Sequence, residues 1–188
     1  MNKVIVAWRP VPAALAALVW LLAASSDLVV AQSLVHELKL GVLHHDTPGL
    51  WSGFQRERTA ADINVELILS PGFAFLGGTI RPAIGGSVNT RGDTSKGYLD
   101  ARWQIESPAG LFLGLGIGVA VHDGHTAPSD ADRKALGSRV LFHFPVEAGL
   151  RLDARSSVSI YFDHVSNGYT QRFNEGLDTI GLRYGYRF

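Results

Sequence analysis

The most constraining feature of this chain is a period of two that recurs along most of its length. In "GLFLGLGIGVAVH" (110–122) the odd positions are Leu111, Leu113, Leu115, Ile117, Val119 and Val121, while the even positions are mostly glycine. In "VLFHFPVEAGL" (140–150) Val140, Phe142, Phe144, Val146, Ala148 and Leu150 share one parity, with His143 and Glu147 on the other. "YLDARWQIE" (98–106) sets Leu99, Ala101, Trp103 and Ile105 against Asp100, Arg102, Gln104 and Glu106, and "DINVELILS" (62–70) follows suit. Weaker versions cover 34–44 and 79–89, and the chain closes with "SVSIYFDHVS" (157–166) and "DTIGLRYGYRF" (178–188). Successive side chains of a strand point to opposite faces, so this pattern predicts strands with one apolar and one mixed face. Eight such segments are expected.

Composition removes several alternatives. The chain has 188 residues, enough for one domain once an export segment is set aside. Residues 1–31 carry the features of a signal peptide: Lys3 and Arg9, then the apolar "PVPAALAALVWLLAA" (10–24), then small residues in "VVA" (29–31). That apolar core is shorter than the roughly 20 residues a spanning helix needs. The mature domain is expected to be 32–188, beginning outside the cytoplasm. With no cysteine, a disulfide-stapled small domain is excluded. Seventeen basic and seventeen acidic residues cancel, which gives no footprint for nucleic acid.

Connections alternate in length. "SPGF" (70–73), "SPAG" (107–110) and 153–156 are tight, whereas 45–60, 89–97, 123–137 and 167–177 are longer and polar. Short turns at one end and long loops at the other are the layout of an outer-membrane barrel. The faces support it. The minority face carries Glu37, Lys39, Glu66, Arg81, Asp100, Arg102, Glu106, Arg139, Glu147, Arg183 and Arg187. Charges of both signs, strand after strand, can neutralise one another inside a small barrel whose apolar face meets lipid. A soluble sandwich would instead bury the apolar face and wet the charges. The last strand ends on Tyr184, Tyr186 and Phe188, which resembles the insertion signal of many outer-membrane barrels. The expected fold is an all-β, eight-stranded antiparallel transmembrane barrel with short periplasmic turns and longer extracellular loops.

On that scaffold one stretch, "FDHVSNGYTQRFNEGLD" (162–178), holds a serine, a histidine and acids. Counting by two from Val158, Ile160 and Phe162 reaches His164 and Ser166; counting back from Ile180 reaches Asp178. All three have lipid-facing parity. A hairpin register opposing His164 to Asp178 would bring the trio together near the outer rim, where opposed Cβ atoms lie about 4.5–5.5 Å apart. A serine needs a base to become a nucleophile, and the base needs a carboxylate to fix its tautomer. Asn167, Gly168 and Asn174 are candidate donors to an oxyanion, and Glu175 is the fallback acid. The plain alternative is a strand end running into an Asn-Gly turn.

The elements "HVSNG" (164–168) and "NEGLD" (174–178), followed by an aromatic final strand, resemble the lipid A 3-O-deacylases of Gram-negative outer membranes. "DINVELILSP" (62–71), "RPAIGGSVNTRGDTSKGY" (81–98) and "GLGIGVAVHDG" (114–124) are weaker echoes. The resemblance implies an eight-stranded barrel that removes the ester-linked 3-hydroxyacyl chain at position 3 of lipid A, without a cofactor. It implies Ser166 as nucleophile, His164 as base and Asp178 as orienting acid. The family's acid is often glutamate, so Asp178 is one methylene shorter. The implied partner is lipid A, or lipopolysaccharide, in the outer leaflet, and a homodimer stays open. Two alternatives stand beside it: a non-catalytic barrel with an adhesive or structural role, and an acyl-transferring barrel, which would place its chemistry in the lumen.

Two further groupings invite a site. His44, His45, His122 and His125 fall at the outer rim but match no metal-ligand spacing, so no metal is expected. Arg56, Arg58, Arg91, Arg133, Lys134 and Arg172 could meet lipid A phosphates, or simply be solvated loop charges.

Overall fold

The structure is a computed structural model, and it describes residues 34–188. The signal peptide assigned to 1–31 lies outside the described residues. Among the described residues nine strands form: β1 (Val35–His44), β2 (Ala61–Leu69), β3 (Phe73–Phe75), β4 (Gly78–Asn89), β5 (Lys96–Glu106), β6 (Leu111–His122), β7 (Val140–Arg151), β8 (Ser156–Ser166) and β9 (Leu177–Arg187). Eight of them close a barrel. Neighbours in sequence pair antiparallel, β9 pairs with β1, and β2 bypasses β3 to pair with β4. The ninth, β3, shares only Phe73 with the tight turn expected at 70–73 and was not among the eight expected strands. It forms a three-residue hairpin with the start of β4 instead, turning through Leu76 and Gly77 at positive φ. The glycine supplies one of the two left-handed positions without steric cost.

Alternation sorts the side chains as the period of two predicts. Leu111, Leu113, Leu115, Ile117, Val119 and Val121 are exposed on the outer wall, as are Leu99, Val140, Val158, Ile160 and Leu182. A continuous apolar outer wall of this kind belongs in lipid.

The inner face is a packed charge network. Glu66 accepts from Arg183 at 2.9 Å and from the Tyr98 hydroxyl at 3.0 Å, with Arg102 at 3.5 Å. Glu147 meets Lys39 at 2.8 Å and Arg102 at 2.9 Å, and accepts from Ser159 at 2.6 Å. The Arg183 guanidinium also sits 4.1 Å from the Tyr161 ring centre. Higher in the lumen, Asp163 pairs with Lys96, and His143 bonds Asp100 at 2.9 Å. The glycines of β6 give these long side chains room. A Cβ on Gly116 would come 2.6 Å from Pro145 and 2.8 Å from Arg102. Not every expected lumen charge lies inside. Arg139 precedes β7 and is exposed, donating to the carbonyls of His122 and Gly124 across a loop.

This network yields a stability prediction. Glu147→Ala leaves Lys39 without its carboxylate in a closed interior, and Arg102 with only Glu66 at 3.5 Å. Stranding one side of a buried pair costs about 3–5 kcal/mol. Denaturant unfolding in detergent micelles, followed by gel mobility of the folded barrel, should show that loss; a change under about 1 kcal/mol would contradict the network's role.

Candidate active site

The outer ends of β8 and β9 carry the site. Their register opposes His164 to Asp178 and Phe162 to Ile180, while β7 lays Phe144 beside His164 and Phe142 beside Ser166. His164 Nδ1 lies 2.6 Å from Asp178 Oδ1. An ionised carboxylate can only accept, so Nδ1 carries a proton, and in the neutral ring Nε2 is then the nitrogen with the lone pair. The aspartate is thus long enough to reach the imidazole in this register. Ser166 follows two residues along the same face. Its hydroxyl has no hydrogen-bond partner among the described residues, so the imidazole and Ser166 share a face without a bond between them.

The parity points outward, yet the trio is not open to the surroundings. His164 is 3% exposed, Ser166 9% and Asp178 0%. The cover is the first outer loop, 45–60. Its Trp51 ring lies flat over His164, with centroids 4.3 Å apart and planes at 12°. Trp51 also leans on Phe144 at 5.6 Å and is 62% exposed on its far side. The next residue, Ser52, donates its backbone N–H to Asp178 Oδ2 at 2.6 Å. Each carboxylate oxygen of Asp178 therefore has a separate task. Sequence reasoning did not single out Trp51 or Ser52. The available signal was "PGLWSG" (48–53), where an apolar-aromatic pair sits between two glycines. Both glycines take positive φ, and Gly49 N–H bonds the Gly53 carbonyl at 2.6 Å to close the tip.

The oxyanion candidates divide. Asn167 N–H donates to Asn174 Oδ1 at 2.8 Å, and its amide group donates to the carbonyls of Leu136 at 2.9 Å and Phe173 at 2.6 Å. Asn167 and Asn174 thus shape the loop 167–176. Gly168, at positive φ, has no partner for its N–H among the described residues. Glu175 is turned away from the imidazole: its Oε2 accepts from Ala135 N–H at 2.6 Å and joins the fourth outer loop to the third. Glu175→Gln should accordingly keep any hydrolytic activity of this site within about tenfold of wild type, because its side chain bonds a loop N–H and not the imidazole. A loss of about 100-fold or more in a fatty-acid release assay would overturn this assignment.

The remaining polar loop residues tie loops to one another. His45 is buried between Asp62 and Glu57, each at 2.9 Å. Burial opposes charge on its imidazole, but the two carboxylates outweigh it and raise the pKa to about 9. Glu57, likewise buried, is held down to about 2 by His45 and by the N–H groups of Thr94 and Lys134. The four rim histidines do not gather: His44 meets Thr47, and His122 meets the Ser138 carbonyl. Among the cations considered for phosphate, Arg58 and Arg133 pair with Asp93, and Lys134 is fully buried against Asp46 at 2.8 Å. Arg91 bonds the Thr59 carbonyl at 3.1 Å, and Arg172 stacks over Phe173. The loop charges mostly fasten the rim.

Comparison with known proteins agrees with this architecture. The barrel superposes on the crystal structure of the outer membrane enzyme PagL with a TM-score of 0.61 and 18% identity, covering 81% of this chain and 99% of that one. It also superposes on Neisserial surface protein A with a TM-score of 0.50 and 10% identity, covering 81% and 96%. No curated protein matches the chain. Identities this low carry the fold alone, but residues 43–187 match the family described as lipid A 3-O-deacylase (PagL). A match over that span is most of the chain, and we conclude that this protein is an outer-membrane barrel of the Gram-negative lipid A 3-O-deacylase family.

Proposed function

We propose that the protein is a serine esterase that removes the ester-linked 3-hydroxyacyl chain at position 3 of lipid A, using Ser166, His164 and Asp178. The observation that carries this reading is the 2.6 Å bond between His164 Nδ1 and Asp178 Oδ1, with Ser166 beside it on the same outer face. Asp178 orients the imidazole, whose Nε2 takes the proton of Ser166 as Oγ forms a bond to the ester carbonyl. The negative charge on the former carbonyl oxygen is assigned to the Gly168 N–H. As the tetrahedral intermediate collapses, the bond to the sugar oxygen breaks and His164 returns its proton there. Water, deprotonated by the same imidazole, then hydrolyses the acyl-serine and releases a 3-hydroxy fatty acid.

The site's position suits a lipid substrate. It lies at the outer end of the apolar wall, level with the outer leaflet, so an acyl chain can stay among lipid while its ester reaches the serine. The test is mass spectrometry of lipid A from Gram-negative cells expressing the wild-type chain. Loss of one 3-hydroxyacyl group, mapped to position 3, is expected. Unchanged lipid A beside a correctly inserted barrel would favour the non-catalytic reading.

A further inference from the structure

The triad reading leaves the first-loop tip unexplained. Residues 49–53 project over the outer wall, and Trp51 and Phe54 expose most of their surface. Yet this tip delivers both the Trp51 ring to His164 and the Ser52 N–H to Asp178. Something must hold it in place.

The fixed point is in a different loop. Lys134, from the stretch joining β6 to β7, extends its ammonium 3.0 Å from Ser52 Oγ and 2.8 Å from Asp46 Oδ1. Its side chain is fully buried. The lysine's own backbone is anchored on two sides, since its N–H donates to Glu57 Oε1 at 3.2 Å and the neighbouring Ala135 N–H donates to Glu175 Oε2. Glu57 in turn bonds His45 and Thr94. The charged groups facing this point are thus Asp46, Glu57 and His45 of the first loop and Glu175 of the fourth. A buried ammonium is costly unless fully partnered, so its hydrogen bond to Ser52 and its ion pair with Asp46 fix the position of the loop that carries both.

We propose that Lys134 is a positioning residue for the active site. Its ammonium holds Ser52, so that the Ser52 N–H stays on Asp178 Oδ2 and Trp51 stays on His164. The chain of contacts runs from Lys134 Nζ to Ser52 Oγ, along one residue to Ser52 N–H, then through Asp178 to the imidazole. The inference rests on the triad reading above.

The consequence is specific to catalysis. Without its Ser52 donor, the Asp178 carboxylate carries a less dispersed charge and favours the imidazolium more strongly. The base is then protonated over a wider pH range, and its ring is less well aimed. Misplacement on the scale of 1 Å lowers rates by about 10- to 100-fold.

The experiment uses the full barrel in detergent micelles with purified lipid A, measuring release of hydroxy fatty acid against pH. Ser52→Ala and Lys134→Met, with Lys134→Arg as the conservative rescue, are compared with wild type and Ser166→Ala. Ser52→Ala removes the lysine's acceptor but leaves its pair with Asp46, so it tests the link even if Lys134→Met folds poorly. Both variants are expected to lower kcat about 10- to 100-fold with KM within about twofold, and to move the acidic limb of the pH profile upward. Lys134→Arg should restore part of kcat. Folded barrels of Ser52→Ala with wild-type kcat and an unmoved acidic limb would overturn the proposal while Ser166→Ala remains inactive. If Ser166→Ala keeps wild-type activity, the triad reading itself fails and this inference falls with it.

Discussion

On the proposed triad, Ser166→Ala should leave a folded barrel that no longer removes an acyl chain from lipid A, with the deacylation rate down on the order of 10⁶-fold, the cost of losing a serine nucleophile. The two halves of that expectation have separate grounds. Folding should survive because the Ser166 hydroxyl makes no hydrogen bond among the described residues, and alanine keeps the small volume between Phe142 and the loop. Removing a hydroxyl that has no partner strands no other polar group, so the substitution costs little stability although Ser166 is covered. Activity should not survive, because His164 would then have no hydroxyl to deprotonate on its own face. The comparison is lipid A mass spectra from cells expressing each form at matched levels of heat-modifiable, folded barrel. A variant within tenfold of wild type would remove Ser166 from the chemistry and send the search back to the loops.

Asp178→Asn should lower kcat on the order of 10⁴-fold while leaving the barrel intact. Asp178 bonds in two directions, to His164 through Oδ1 and to Ser52 N–H through Oδ2. An asparagine can still accept from Ser52 with its one oxygen. Its amide nitrogen then faces His164 Nδ1 and can only donate, which forces the imidazole's proton onto Nε2. The ring keeps its place between Trp51 and the strand but offers Ser166 no base. Fatty-acid release from purified lipid A would register the loss, and the folded fraction on a gel would show that structure is spared. Equal losses in Asp178→Asn and Glu175→Gln would mean that loop order, rather than the tautomer, is what the assay reads.

The aspartate illustrates how far the residues alone could go. Its parity with Ile180 and Leu182, and His164's parity with Ile160 and Phe162, put both on one face, and the paired register then opposes them directly. One methylene less than glutamate did not matter, because direct opposition brings the two side chains close enough for a short carboxylate. The lumen charges follow the same logic, with Glu66, Glu147, Lys39, Arg102 and Arg183 all buried inside. Arg139 departs from it because it stands outside a strand, where alternation no longer governs direction. β3 departs because three residues are too few to show a period.

What the sequence by itself determined is the barrel, its inside and outside, and the face shared by Ser166, His164 and Asp178. Those depend on a local rule, the alternation of side chains along a strand, which ten residues suffice to display. What only the tertiary structure decided is the cover over that face. Trp51 and Ser52 reach the site from more than a hundred residues away in the chain, held by Lys134 from a third segment. Such contacts follow no period. They form because buried polar groups in the outer loops must find partners, and which partners they find is settled only when the closed barrel brings the four loops to one rim.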